Sequence, residues 1–227
     1  MTKSKSIQII YEDNHLLVVN KRSGDLIQGD RTGDMPLSEK AKAYIKKKYN
    51  KPGNVYLGIP HRLDRPTSGV VVFAKTSKAL SRLNKLFASR DITKIYWAVV
   101  QNAPKNTRGT LEHYLLRNRR QNKSYSHDKE VKGSKLGILH YQVIKELGEY
   151  HLLEVNLETG RHHQIRSQLA KIGSTIKGDL KYGAAQNNPD GSIHLHARAL
   201  YFTHPVSKKE LKLVAPPPVD ALWNTCI

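Results

Sequence analysis

Cysteine is almost absent from these 227 residues; the one present is Cys226. That excludes a disulfide framework and any zinc site built on paired cysteines within the chain, and it fits a reducing compartment. Long apolar runs are missing too. No stretch approaches the roughly 20 residues a membrane helix needs, and the polar start Met1-Thr2-Lys3-Ser4-Lys5-Ser6 lacks the apolar segment of a secretory signal. A cytoplasmic protein without a membrane partner is the expectation. Acids are also scarce, with 19 Asp and Glu against 38 Lys and Arg, a net charge of +19 and a pI near 10. An excess this large points to a polyanionic partner, with binding that weakens steeply as salt rises. What is present is enough to build a core: 38% of residues are hydrophobic and 25% charged, which is not the composition of a disordered chain.

Several signatures of common chemistry fail on inspection. His61-Arg62-Leu63-Asp64 shares residue types with the kinase catalytic loop, but that loop needs the acid directly after the arginine and an asparagine further on. Gly53 and Gly58 have P-loop spacing, yet Ile59-Pro60 stands where Lys and Ser/Thr belong. Dinucleotide-binding glycines after a first strand are absent, and a lone cysteine cannot supply a zinc deaminase. His194 and His196 share one face of a strand without further clustered ligands, so a structural role is expected. His162-His163 is weak as a metal pair, because neighbours on a helix point about 100° apart.

The pattern of elements predicts an α+β fold with a central mixed, mostly antiparallel sheet. Ile7–Tyr11 and His15–Val19 read as two strands around a turn, and Lys21–Gly33 as a polar loop. Pro36–Tyr49 reads as a helix with Leu37, Ala41, Tyr44, Ile45 and Lys48 at helical spacing. Its lysines either face phosphate or form a solvated surface. Val70–Ala74 is a strand and Ser77–Ser89 a helix, with Ser77 as N-cap. In the strand Ile95–Val100, residues Tyr96, Ala98 and Val100 share one side. Asn102–Leu136 looks polar and irregular, a mobile insert touching RNA or solvent. A strand pair follows around Leu147-Gly148-Glu149, then a helix from about His162 to Lys171, a strand over Ser192–Thr203 and another over Leu211–Val214.

The segment His61-Arg62-Leu63-Asp64-Arg65-Pro66-Thr67-Ser68-Gly69 is the most telling. A carboxylate between two arginines is held ionised by them and lies beside groups that grip phosphate. Two further blocks accompany it. One runs from Ile10-Tyr11-Glu12-Asp13 through Val19-Asn20-Lys21 to Gly24. The other is Leu157-Glu158-Thr159-Gly160-Arg161-His162-His163-Gln164-Ile165-Arg166, closing with Gly178-Asp179-Leu180-Lys181-Tyr182-Gly183. In this order and at this spacing the three blocks resemble the RluA-type pseudouridine synthases over nearly the whole chain. Departures occur at His162, where the family usually has threonine, and at Ser167-Gln168, where it usually has Val-His.

The resemblance implies an isomerase that turns a uridine in rRNA or tRNA into pseudouridine, needing neither metal nor organic cofactor. It implies that Asp64 is the residue the chemistry turns on, as nucleophile or base, with Arg166 paired to it and Tyr96 against the uracil. Substrate contacts fall to Arg62, placed to fill the gap left by a flipped nucleotide, and to His61, Arg65, Lys94, Arg161, His163 and Gln164. With the first block starting near Ile7, a single catalytic domain over 1–227 is expected, without a separate N-terminal RNA-binding domain, acting as a monomer. Residue by residue, plainer readings stand beside these: Asp64 as a turn cap, Tyr96 as a core tyrosine, the cations as surface ion pairs. From another class, the rival is an RNA-binding or ribosome-assembly factor that keeps the fold without catalysis.

Overall fold

A computed structural model describes residues 6–30 and 32–227; the polar start and Arg31 of the polar loop lie outside them. The chain forms two compact units. The first comprises the residues up to Ile92 together with Ala199–Pro216, the second Thr93–Arg198 with Pro217–Ile227. Helices alternate with strands mainly near the start of the chain, and every pairing described below is antiparallel, as expected for α+β.

In the first unit, β1 (Gln8–Glu12) pairs with β2 (Leu16–Lys21), and β2 with β3 (Ser68–Ala74). β3 is buried along its whole length, which explains its unbroken apolar run. The apolar stripe of α1 (Leu37–Lys48) lies where its spacing put it. Leu37, Ala41 and Ile45 are buried with Leu17, Val19, Val71 and Phe73 in one core. α2 (Ser77–Ser89) has the expected bounds, but its N-cap is Thr76, whose hydroxyl accepts from Ala79 N at 3.1 Å. Glu12 ties α1 to the sheet. Its carboxylate accepts from Tyr44, Lys48, Tyr49 and Lys75 at 2.6–3.0 Å. Burial alone would raise its pKa, but these four donors bring it down to about 2.

The second unit is built on β4 (Thr93–Val100), β5 (Arg108–Asn118), β6 (Lys123–His127), β7 (Lys135–Leu147) and β8 (Tyr150–Leu157), in the order β4-β8-β7-β5-β6. Both faces of β4 are covered. Ala98 and Val100 join one core with Tyr96 packed on it, and Val99 joins another with Leu152 and Trp223. The stretch expected to be an irregular insert is a long hairpin instead. Leu111, His113 and Leu115 are buried on one side of β5; a histidine in a core position and the cationic outer residues hid the alternation. α3 (Gln164–Lys171) starts later than expected, because His163 is its N-cap at φ 52°. β9 (Leu195–Thr203) runs through both units, and its last residues pair with β10 (Glu210–Val214). A short α4 (Ala221–Asn224) brings Trp223 onto the rings of His194 and His196. Those two histidines are packing residues, as their spacing suggested.

Candidate active site

Asp64 lies half-buried in the loop that enters β3. Gly58 bridges Ala74 at the far end of β3, so residues 59–67 run back along that strand before joining its start. His61 fixes the first half of the loop. Its Nε2 accepts from Val72 N at 3.0 Å, and its ring stacks on Phe87 at 4.7 Å. The second half is a turn closed through the main chain, with Thr67 N donating to Asp64 O at 3.1 Å. The turn therefore has its closing bond without the Asp64 side chain.

Beneath this turn sits Lys21, 1% exposed. Its Nζ donates to the carbonyls of Arg22, Arg65 and Thr67 at 3.0, 3.0 and 2.7 Å. Gly24 N and Ser23 Oγ add bonds to Arg65 O and Pro66 O, both 2.9 Å. One ammonium thus gathers three main-chain carbonyls of the two segments, as its three donors allow. Burial pushes its pKa down to about 7, while the charges of Asp25 and Asp64 pull the other way. Arg62 and Arg65 are exposed on either side of Asp64, and Arg65 also reaches Asp34 at 2.6 Å.

Arg166, on the first turn of α3, is 4% exposed. Its Nε and Nη2 form a bidentate pair with Asp179 at 2.7 and 2.8 Å, the geometry in which an arginine fork is held most firmly. Nη1 meets His163 Nε2 at 3.2 Å, and the guanidinium lies 5.1 Å from the centre of the Tyr182 ring. The tautomer of His163 follows from its neighbours. Arginine only donates, so Nε2 accepts. Tyr182 Oη donates to Ser124 O at 3.1 Å, leaving His163 Nδ1 as the donor to Tyr182 Oη at 3.0 Å. His163 is therefore held neutral. His162 stacks on it at 3.8 Å and 17°, closer to parallel than a helix would allow, because both precede the helix. All four ring nitrogens of the pair have protein partners, so the pair is not laid out to receive a metal.

The residues named from the sequence differ in exposure and partners. Arg62 and Arg65 are exposed beside Asp64. His61, His163 and Gln164 turn inward: Gln164 is 3% exposed and bonds Thr159 Oγ1, Arg161 N and Ile138 O. Lys94 is 9% exposed and donates to Glu158 O at 3.3 Å, and Arg161 donates to Leu136 O at 2.9 Å. Tyr96 is half-buried on β4 opposite Val155. Lys21, Asp179 and Tyr182 were not singled out, although each lies in one of the three sequence blocks. The thirteen-residue gap between Arg166 and Asp179 carries no periodic signal that would pair them.

The family model for RNA pseudouridylate synthases matches residues 15–171. The chain belongs to that family, whose members isomerise uridine in RNA. A Chlorobaculum parvum protein described as an uncharacterized RNA pseudouridine synthase is 34% identical over 94% of this chain and 72% of its own. The ribosomal large subunit pseudouridine synthase D of Zymomonas mobilis is 33% identical over 94% of this chain and 70% of its own. Against a Synechocystis relative at 32% identity the chain spans 66% of the length. Among solved structures, human RNA pseudouridylate synthase domain containing 4 superposes with a TM-score of 0.77 at 25% identity, covering 93% of this chain and 88% of that one.

Proposed function

We propose that this chain converts a specific uridine of structured rRNA or tRNA into pseudouridine through Asp64. The observation that carries the reading is the Asp64 loop, an acid between two exposed arginines on a turn fastened from below by Lys21. The turn is closed by its main chain, from Thr67 N to Asp64 O, and the chain's net charge of +19 suits a polyanionic substrate. In the reaction the bond from uracil N1 to the ribose C1′ breaks and one from C5 to C1′ forms. The proton leaves C5, and N1 gains one. Nothing is oxidised or reduced, so the reading assigns no metal or organic cofactor.

Asp64 supplies the ionised carboxylate, Tyr96 meets the uracil ring, and Arg166 is the cation assigned to hold Asp64 charged. Arg62 and Arg65 grip the flipped nucleotide and its phosphates. Of the other residues named for RNA contact, His61, His163 and Gln164 support the loops that carry these groups. Lys94 and Arg161 keep their assignment to phosphate. The family match passes through both compact units, which supports one catalytic domain. We place it in the cytoplasm as a monomer. Among the described residues no helix is long and apolar enough to cross a membrane.

The test is to incubate total RNA with the purified protein and map pseudouridines. Wild type should create site-specific pseudouridine, while Asp64→Asn creates none and still binds RNA. Full activity of Asp64→Asn overturns the assignment. A wild type that binds RNA yet leaves every uridine intact would favour the binding-only alternative.

A further inference from the structure

The β5–β6 hairpin holds none of the residues assigned above. From His113 to His127 it contains no acid, while Arg117, Arg119, Arg120 and Lys123 crowd its tip. The tip is rigidly built. Asn118 Oδ1 accepts from Gln121 N at 3.0 Å, Asn122 takes the left-handed conformation at φ 46°, and Lys181 donates to the carbonyls of Gln121 and Asn122 at 3.3 and 3.2 Å. This places Arg117, Arg119, Arg120 and Lys181 at the surface. Tyr125, 40% exposed, lies beside them with Lys123 Nζ 5.3 Å from its ring centre.

Three side chains in and before α3 bind this part of the sheet. His162 bonds Ser124 Oγ at 2.9 Å and Asn122 Oδ1 at 3.2 Å. Ser167 bonds Ser126 Oγ at 2.7 Å and Ser124 O at 3.1 Å. Gln168, fully buried, donates to Leu111 O and Gly137 O at 3.0 Å. A threonine at 162 is too short to span both hairpin partners, and a valine at 167 has no hydroxyl to offer. The latch ends at the His163 ring, on which His162 stacks and which accepts from Arg166 Nη1.

We propose that the β5–β6 hairpin is a latched RNA-docking arm. Arg119, Arg120 and Lys123 bind backbone phosphates of the substrate, Tyr125 stacks on an unpaired base, and His162 holds the arm in place. Basic groups flanking an exposed aromatic ring on a rigid turn match single-stranded or loop RNA. Fixing the arm beforehand removes the cost of ordering it on binding. The proposal rests on RNA being the substrate, and it can fail while the isomerase activity stands.

The probe is a fluorescein-labelled hairpin RNA with uridines in its loop, titrated with the full chain over a range of salt. Removing three phosphate contacts should lower the slope of log affinity against log salt by about 2 to 3. That is the result expected for Arg119→Ala/Arg120→Ala/Lys123→Ala, and Arg119→Lys/Arg120→Lys/Lys123→Arg should restore the slope. Tyr125→Ala should weaken binding at least about fivefold with the slope unchanged. For His162→Thr, amide hydrogen exchange over residues 118–124 should speed up about tenfold. An unchanged slope in the triple alanine variant overturns the arm, and unchanged exchange in His162→Thr overturns the latch. Pseudouridine formation by the wild type, measured alongside, reports the parent reading separately. Surface substitutions of this kind rarely move stability by more than about 0.5 kcal/mol, and the thermal midpoint checks that each variant folds.

Discussion

At the residue scale, Lys21 gives the Asp64 loop a measurable pH signature. Its folded pKa of about 7 lies below the ordinary 10.5, so between those values the unfolded chain binds the proton more tightly. Stability from this group therefore rises as pH goes from 7 to 10.5. In urea unfolding at pH 7 and pH 9, the advantage of wild type over Lys21→Met should widen at the higher pH; a constant gap would show that the lysine keeps its ordinary pKa. Asp179 invites a second test. Asp179→Asn leaves the buried Arg166 without its carboxylate and should cost about 3–5 kcal/mol of stability by denaturant unfolding. Asp64→Asn removes a half-buried acid on a turn closed by its backbone, and should cost far less while abolishing the reaction.

At the scale of elements, the connections around α3 depend on backbone conformations that few residues adopt. Gly178 sits at φ +85°, and a Cβ there would lie 2.7 Å from Asn188 Nδ2 and 2.8 Å from Ser192 O. Gly178→Ala should destabilise the second unit by roughly 1–3 kcal/mol through strain alone, read as a lowered thermal midpoint. On β7, Gly137 is closed by its neighbours, since an added Cβ would meet the Leu115 side chain and lie 3.1 Å from Gln164 Cδ. Gln164 in turn anchors Arg161 and the start of α3. Helix α1 was expected to turn its lysines to phosphate or to solvent, and it divides them. Lys40 and Lys48 pair with Asp25 and Glu12, and Lys42 with Glu39, while Lys46 and Lys47 are exposed.

Across the whole molecule, charge sets both acid stability and partner. Glu12, at a folded pKa of about 2 against 4.5, contributes stability that is complete above pH 4.5 and lost as pH falls towards 2. His194, pushed down to about 4 by burial despite the nearby Asp220, contributes stability that is lost as pH falls from 6.5 towards 4. The protein should therefore unfold from the acid side. Glu12→Gln should flatten the part of the stability curve between pH 4.5 and 2, as followed by circular dichroism. The net charge of +19 should make RNA affinity fall steeply with added salt, with the hairpin cations and Lys46 and Lys47 contributing to the slope.

The family, the α+β class and the strands on either side of Asp64 could be read from residue order, because period-2 and period-3.6 patterns and contiguous motifs are local properties. The packing of α1 through Leu37, Ala41 and Ile45 followed in the same way. Folding decided what joins distant positions. Lys21 reaches carbonyls more than forty residues away at Arg65 and Thr67. Arg166 meets Asp179 across a turn, and His162 reaches back to Ser124. Such bonds depend on where the chain returns in space, and the desolvation of the groups involved leaves no trace in spacing. The same holds for the stretch after Asn102: its cationic outer face read as solvent-exposed insert until the burial of Leu111, His113 and Leu115 made it a strand.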